Sequence, residues 1–194
     1  MPALAFTVDA RDEDLMLAYA AGDAAAFDAL YARHRGGLYR YLIRHCGQPG
    51  IADELFQDIW LRAVRVRSSY VPTAKFTTWL YRIAHNRLID HWRATGQVEL
   101  VSTGLADDND VLAAVPGARN DEPEVRAGAR EISLRLRAAL AALPATQRDV
   151  FLLYQEGGLE LSEIAELTGA GVETVKSRLR YALAKLRAEL GDLQ

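Results

Sequence analysis

The chain has 194 residues, half of them hydrophobic, and a formal net charge of −3. This length allows one large domain or two small ones. The single cysteine, Cys46, excludes an internal disulfide and a cysteine-rich zinc site, which is typical of a reducing compartment. Because no apolar run is long enough to span a membrane and the N-terminus lacks the features of a signal peptide, we predict a soluble, cytoplasmic protein.

Apolar residues recur at three- and four-residue steps along most of the chain, and we find no alternating strand-like runs. This pattern predicts an all-α fold made of two small helical domains joined by an acidic linker. We place the first domain at residues 1–95, the linker at 96–127 and the second domain at 128–194. Residues up to about Ala10 are predicted to be frayed.

The first predicted helix spans residues 12–21, with Leu15, Leu17 and Tyr19 as candidate buried positions. A second helix begins near Ala24 and contains Gly36 and Gly37, a candidate bend. The segment 51–67 follows, in which Leu55, Ile59 and Trp60 are predicted to face the core. Its first turns carry a polar, mostly acidic face: Asp53, Glu54, Gln57 and Asp58. These acids could complement the helix dipole or form a protein-docking surface, and the pattern alone leaves both open.

The segment 75–93 is a predicted helix with a buried stripe at every fourth residue: Leu80, Ala84, Leu88 and Trp92. Between Trp60 and Arg93 there are seven basic residues and one acidic residue, with aromatic residues among them. This composition predicts a nucleic-acid surface suited to single strands or a melting duplex. The alternative for Trp79 and Tyr81 is that each belongs to the core.

The histidines of this helix do not predict a metal site. His85 and His91 lie six residues apart, about 240° around a helix axis, so their side chains do not converge. His34 and His45 are interpreted as surface or packing residues. Since the chain also lacks a phosphate-binding glycine loop and a catalytic motif, we predict neither enzymatic activity nor a cofactor.

Residues 96–127 contain seven acidic residues and two arginines, with two prolines and three glycines. This segment is a predicted interdomain linker, either a plain tether or a docking element. After it, Pro144 opens a helix, and Gly157 and Gly158 end that helix.

The final stretch, 160–190, predicts a helix-turn-helix. Ser162 is the predicted acceptor at the start of the first helix, and Gly169, Ala170 and Gly171 form the turn. The second helix carries an apolar stripe, and its other side offers polar and basic residues to a DNA major groove. These are Thr174, Lys176, Ser177, Arg178, Arg180 and Tyr181. The alternative is an amphipathic hairpin with a solvated basic face.

These motifs, in this order, resemble those of the extracytoplasmic-function sigma factors, the small two-domain initiation factors of bacterial RNA polymerase. The segment 53–60 (DELFQDIW) resembles the part of the family that docks on the clamp helices of the polymerase β′ subunit. The segment 76–86 (FTTWLYRIAHN), with Asp90 and Arg93, resembles the element that reads and melts the minus-ten promoter element. Leu143, Pro144, Arg148, LSEIA at 161–165 and TVKSR at 174–178 resemble the domain that binds the minus-thirty-five element.

The resemblance implies a sigma factor that binds core RNA polymerase, through its β′ and β subunits, and promoter DNA. It also implies a family commonly held inactive by an anti-sigma factor. The residues implied to bind core polymerase are Asp53, Glu54, Leu55, Gln57 and Asp58. Those implied for the minus-ten element are Lys75, Phe76, Trp79, Arg82, Asn86, Asp90 and Arg93. Those implied for the minus-thirty-five element are Arg148, Thr174, Lys176, Ser177, Arg178, Arg180 and Tyr181.

Two rival functions remain open at this point. A repressor or activator with the same helix-turn-helix would bind a specific duplex without polymerase. A metal-dependent nuclease would require converging ligands, and the residues do not supply them.

Overall fold

A computed structural model of the chain describes residues 10–96 and 123–191. Within these two ranges every regular element is helical, with eight α-helices and one short 3-10 helix, which confirms the all-α prediction. The segment predicted to be frayed, apart from Ala10, and most of the predicted acidic linker lie outside the described residues.

The first domain contains α1 (Asp12–Ala20), α2 (Ala24–Cys46), α3 (Pro49–Arg65), a 3-10 helix (Arg67–Ser69) and α4 (Phe76–Ala94). The side chain of Asp23 accepts a hydrogen bond from the Ala25 amide, 2.9 Å away, and so caps α2. A carboxylate from another helix caps α4, because Glu13 accepts from the Phe76 amide at 2.9 Å. Both Gly36 and Gly37 lie inside α2, which is a single continuous helix.

The core of this domain follows the predicted stripe of α4, since Leu80, Ala84, Leu88 and Trp92 are all buried. Leu17 was a candidate core residue, but it is 42% exposed. Leu15 and Leu17 lie about 200° apart around the axis of α1 and cannot face the same core. Met16, which was not predicted, is buried instead.

The second domain contains α5 (Pro123–Ala141), α6 (Ala145–Gln155), α7 (Leu161–Thr168) and α8 (Val172–Leu190). The predicted linker extended to residue 127, but α5 begins at Pro123. Ser162 does not cap α7, which corrects our prediction. The helix begins at Leu161, so Glu160 is the N-cap residue and forms a reciprocal capping box with Glu163.

The two domains lie against each other. Helix α2 of the first domain packs on both α5 and α6, and side chains of α4 reach α7. This contact decides which of the predicted functional residues are accessible.

Candidate polymerase and promoter interfaces

The helix-turn-helix consists of α7, a tight turn and α8. Gly169 ends α7 in the left-handed conformation at φ 68°, which only glycine adopts without strain. Helix α8 buries Val175, Leu179, Ala182 and Leu186, as its predicted stripe requires.

The opposite side of α8 is accessible. Thr174, Lys176 and Arg180 are exposed, while Ser177 and Arg178 are half-buried. Tyr181 is 57% exposed, and the Arg180 guanidinium carbon lies 5.2 Å from the centre of its ring. Six of the seven residues predicted to meet the minus-thirty-five element therefore lie together on one helix.

Arg148, the seventh residue of that set, lies apart from this surface. It belongs to α6 and is directed towards the first domain, where burial lowers the pKa of its guanidinium despite the nearby Asp149 carboxylate. In the part of the chain that the structure describes, its Nε is buried and has no hydrogen-bond partner. In this arrangement Arg148 is an interdomain residue.

Helix α4 presents the residues predicted for the minus-ten element. Five of them are exposed: Lys75, Arg82, Asn86, Asp90 and Arg93. Trp79 is half-buried between two aromatic rings, 5.4 Å from Tyr70 and 5.7 Å from Phe76 between ring centres.

Phe76 is a core residue here, with 1% of its surface exposed. Its ring packs between the rings of Tyr70, Trp79 and His34, so we remove it from the candidate DNA surface. Tyr81 is also buried, and its hydroxyl donates to the Glu156 carbonyl at 2.8 Å. The sequence left open whether Tyr81 contacts nucleic acid or belongs to the core, and in the structure it belongs to the core.

The acidic face of α3 is at the surface. Asp53, Glu54 and Gln57 are exposed, whereas Leu55 is 1% exposed and packs in the core. Asp58 is half-buried and accepts two hydrogen bonds from Arg87 of α4, at 2.5 and 3.1 Å. Leu55 faces the core, as the helical spacing predicted, so it is not accessible to the polymerase, and Asp58 already has a partner.

A buried polar cluster joins the two domains, and the sequence analysis did not predict it. Asp149 of α6 accepts a hydrogen bond from the Tyr41 hydroxyl at 3.0 Å. Two histidine nitrogens lie 3.3 Å from its carboxylate, Nε2 of His45 and Nδ1 of His85. The histidines come from α2 and α4, so the cluster forms only where three helices meet.

The cluster shifts the pKa of each of its three charged or titratable partners, Asp149, His85 and His45. Burial alone would raise the pKa of Asp149, but His85 and His45 hold it well below its usual range. Burial opposes the His85 cation, yet the Asp149 charge outweighs it and raises the pKa of His85 above 6.5. For His45 burial dominates and lowers the pKa below 6.5. Neither ring nitrogen of His45 has a hydrogen-bond partner among the described residues.

A second buried carboxylate lies nearby on the same domain. The Glu156 side chain is 5% exposed and receives Arg40 Nε at 2.7 Å together with Arg44 Nη1, both from α2. Gly37 of α2 allows this approach, because a Cβ there would lie 3.0 Å from the Glu156 carbonyl oxygen.

A cleft of about 400 Å³ separates α4 from the helix-turn-helix. Its walls include Asn86 and Trp92 on one side and Thr174 and Arg178 on the other. Two candidate DNA-contacting surfaces therefore face each other across this cleft.

Comparison with known proteins identifies the family. Sigma-70 region 2 matches residues 30–97, and Sigma-70, region 4 matches residues 133–186. The ECF RNA polymerase sigma factor SigM of Mycobacterium tuberculosis is 30% identical over 182 residues, which cover 94% of this chain and 86% of SigM. RNA polymerase sigma factor CnrH of Cupriavidus metallidurans is 32% identical over 187 residues, covering 93% of this chain and 95% of CnrH. The chain belongs to the ECF sigma factors.

An ECF sigma factor binds core RNA polymerase and promoter DNA and directs promoter-specific initiation of transcription, which is the function of this chain. The structure of CnrH in complex with the cytosolic domain of CnrY matches with a TM-score of 0.66 and 25% identity, over 93% of this chain and 97% of that one. The sigma factor RpoE of Bartonella quintana, solved with the anti-sigma factor NepR, shares the fold, with a TM-score of 0.63 and 21% identity. That match covers 85% of this chain and 96% of RpoE.

Two further observations concern the described residues alone. Within residues 10–96 and 123–191, no helix has the length and hydropathy needed to cross a bilayer. The same residues hold no group of three or more His, Cys, Asp or Glu side chains arranged for a metal ion.

Proposed function

We propose that α4 of this sigma factor reads and melts the minus-ten element. The observation that carries this assignment is the difference in exposure between the two sides of α4. One side is buried in the core, while the other exposes Lys75, Arg82, Asn86 and Arg93. Basic side chains neutralise backbone phosphates, and a half-buried aromatic residue such as Trp79 can stack on an unpaired base.

Helix α8 is the proposed reader of the minus-thirty-five duplex. Its exposed side begins at its N-terminus, which is the end that a helix-turn-helix inserts into the major groove. Lys176, Arg178 and Arg180 are suited to guanine edges or phosphates, while Thr174 and Ser177 can contact either. Arg148 reaches DNA in this proposal only after α6 moves away from the first domain.

The accessible face of α3 is the proposed docking site for the β′ clamp helices of core polymerase. Asp53, Glu54 and Gln57 are exposed, and Asp58 is held in place by Arg87. A rim of charged side chains chiefly steers association and fixes orientation. The alternative interpretation, that these acids complement the helix dipole, loses its support, because α3 begins at Pro49 and no acidic residue lies in its first turn.

The remaining assignments follow from family membership. The chain acts by binding, without catalysing a reaction, in the cytoplasm where polymerase and promoters are found. Its two domains are tethered by an acidic segment that starts near residue 96 and ends where α5 begins, at Pro123. An anti-sigma factor is a proposed partner, because RpoE, one of the similar structures, was solved with the anti-sigma factor NepR.

Run-off transcription tests the proposal. The purified chain and core polymerase are incubated with fragmented genomic DNA, and the start sites are mapped. We expect discrete start sites that share two spaced upstream sequences. Asn86→Ala should weaken or change the minus-ten preference while core binding stays intact. Sequence-specific duplex binding by the free chain, with no effect of core polymerase, would instead favour the repressor.

A further inference from the structure

The cleft between α4 and the helix-turn-helix is built from both domains. Its volume of about 400 Å³ lies near the lower end of the range for small-molecule sites. One wall carries Asn86, the opposite wall carries Arg178, and the starts of α6 and α8 also reach the cleft, through Thr146 and Thr174. A ligand in this cleft would therefore contact both domains at once.

The starts of α6 and α8 present backbone amides without acceptors. Neither Pro144 before α6 nor Gly171 before α8 makes a side-chain cap. In the described part of the chain, the first amide of α6 with an acceptor is that of Gln147, and the first of α8 is that of Val175. The amides that precede these two are left open. Because the first turn of a helix carries partial positive charge, the two helix starts together favour an anion in the cleft.

Arg178 adds a full positive charge to the same cleft. Its side chain is half-buried on the wall formed by α8. Residues 10–96 and 123–191 supply it with no carboxylate or carbonyl partner, whereas two arginines of α4 are paired, Arg82 with Glu166 and Arg87 with Asp58. A guanidinium presents a planar fork of donors that matches the oxygens of a phosphate. The charge of Arg178 is thus available to a ligand.

His85 provides an observation that is independent of the helix starts. It is 5% exposed and yet lines the cleft. Its Nδ1 lies 3.3 Å from the Asp149 carboxylate, while its Nε2, on the other side of the ring, has no hydrogen-bond partner among the described residues. Burial opposes the charged form, but Asp149 outweighs burial and raises the pKa of His85, which makes Nε2 a donor. Asp149 also lines the cleft, but its charge is matched by the histidine and by the Tyr41 hydroxyl.

The rest of the lining suits a flat ring. Ile89 of α4 and Leu167 of α7 are half-buried apolar residues, one from each domain, and both line the cleft. The Asn86 amide can donate to a ring edge and accept from it. An inorganic anion would use none of these groups. A phosphate joined to a heteroaromatic base would use all of them.

We propose that this cleft binds a nucleoside phosphate, with the phosphate held by Arg178 and the two helix starts and the base lying between Ile89 and Leu167. The binding itself does not depend on the assignments made for DNA. Asn86 and Arg178 are also proposed DNA contacts, so an occupied cleft should compete with promoter DNA. That consequence alone rests on the proposed function.

Titration calorimetry on the full chain tests the proposal. The probes are ADP and GDP, with inorganic phosphate and adenosine as the two halves of such a ligand. Arg178→Gln removes the charge at the cleft. Arg187→Gln is the matched control, because Arg187 is exposed on the same helix, about 13 Å further along, and does not line the cleft.

We expect at least one of the two nucleotides to bind about tenfold or more tightly than phosphate, and adenosine to give no measurable heat. Arg178→Gln should weaken nucleotide binding roughly tenfold to a hundredfold, the usual effect of losing hydrogen bonds to a charged group, while Arg187→Gln leaves it unchanged. Nucleotides that bind no better than phosphate would overturn the proposal. Equal weakening in the two arginine variants would overturn it as well, because the attraction would then be general electrostatics.

A second measurement tests whether the ligand contacts both domains. Cys46 lies at the end of α2, close to Arg148 of the second domain, so its alkylation reports on the form in which the domains are in contact, the closed form. A nucleotide at about 100 times its Kd should slow this alkylation by up to about a hundredfold. An unchanged rate with the nucleotide bound would place the ligand on one domain only and overturn the bridging site.

Asn86→Ala separates the base from the phosphate and keeps the test valid if Arg178→Gln loses helix content. Asn86 is exposed, and its loss should weaken nucleotide binding severalfold while phosphate binding stays the same. Equal effects on both probes would count against the placement of the base. None of these titrations contains DNA, so their failure would leave the assignments of α4 and α8 standing, and failed run-off transcription would leave the nucleotide site standing.

Discussion

Replacing Gly37 by alanine should open the two domains. An alanine Cβ at this position would lie 3.0 Å from the Glu156 carbonyl oxygen and 3.2 Å from the Tyr81 hydroxyl. These two atoms are hydrogen-bonded to each other across the domain contact, so neither moves freely. The substitution therefore disturbs the contact at a point where the backbone of the second domain lies close to α2.

The magnitude follows from two opposing effects. Overpacking of this kind costs about 1–3 kcal/mol. Alanine in a helix interior, by contrast, stabilises it by roughly 0.5–1 kcal/mol relative to glycine. Gly36→Ala is the matched control, because it brings the same helix gain and its Cβ meets only the flexible end of Arg40, at 3.3 Å. Because Arg40 also pairs with Glu156 of the second domain, the difference between the two variants is a lower limit on the effect at the domain contact.

Cys46 provides the assay, since it is the only cysteine and lies at the end of α2. Burial raises the pKa of its thiol to about 12, with Arg148 of the second domain close enough to oppose that shift. When the domains separate, Cys46 loses this cover and should react faster. We expect iodoacetamide to modify Gly37→Ala roughly tenfold faster than Gly36→Ala, which corresponds to about 1.4 kcal/mol. Equal rates would show that the domain contact does not depend on Gly37.

Three other predictions address the separate surfaces. Glu54→Ala with Gln57→Ala should weaken core-polymerase binding by about tenfold and leave DNA binding by the free chain unchanged, as measured by fluorescence titration. Lys176→Ala should weaken duplex binding upstream of the start site and reduce the salt slope by about 1, with core affinity unaffected. The closed form should be most stable near pH 6.5. The test is the rate of Cys46 modification at several pH values, compared between the wild type and each histidine variant. Because the pKa of His85 is raised, its contribution to the stability of the closed form is complete below pH 6.5 and is lost as the pH rises through that pKa. His85→Gln should therefore abolish the loss of stability on the alkaline side. Because the pKa of His45 is lowered, its contribution to the stability of the closed form is complete above pH 6.5 and is lost as the pH falls through that pKa. A His45 variant should therefore abolish the loss of stability on the acidic side.

Helix periodicity predicted most of what lies within each domain. The stripe from Leu80 to Trp92 is buried, as the four-residue spacing required. Four of the six residues in the α8 stripe are buried too, while Leu183 and Leu190 are half-buried. Such patterns are local, because neighbours on one helix face are set by the rotation per residue. The prediction that Leu17 is buried was wrong for the same reason, since a two-residue spacing from Leu15 puts both residues on one face of a strand but on opposite sides of a helix. The prediction for Ser162 was wrong because the helix begins at Leu161, which makes Glu160 the N-cap residue and puts Ser162 inside the first turn.

The contacts between the domains could not be predicted in this way. Asp149, His45 and His85 are far apart in sequence and meet only when α2, α4 and α6 come together. The spacing of His85 and His91 concerns ligands on one helix only, so it could not indicate that His85 meets a carboxylate from the second domain. One signal was available, the three-residue spacing of Glu160, Glu163 and Glu166, which marks an acidic face at the start of α7 and along it. Phe76 and Leu55 show a limit of assigning binding residues from a family motif. Such a motif includes residues that support a surface from the core as well as residues that form the surface.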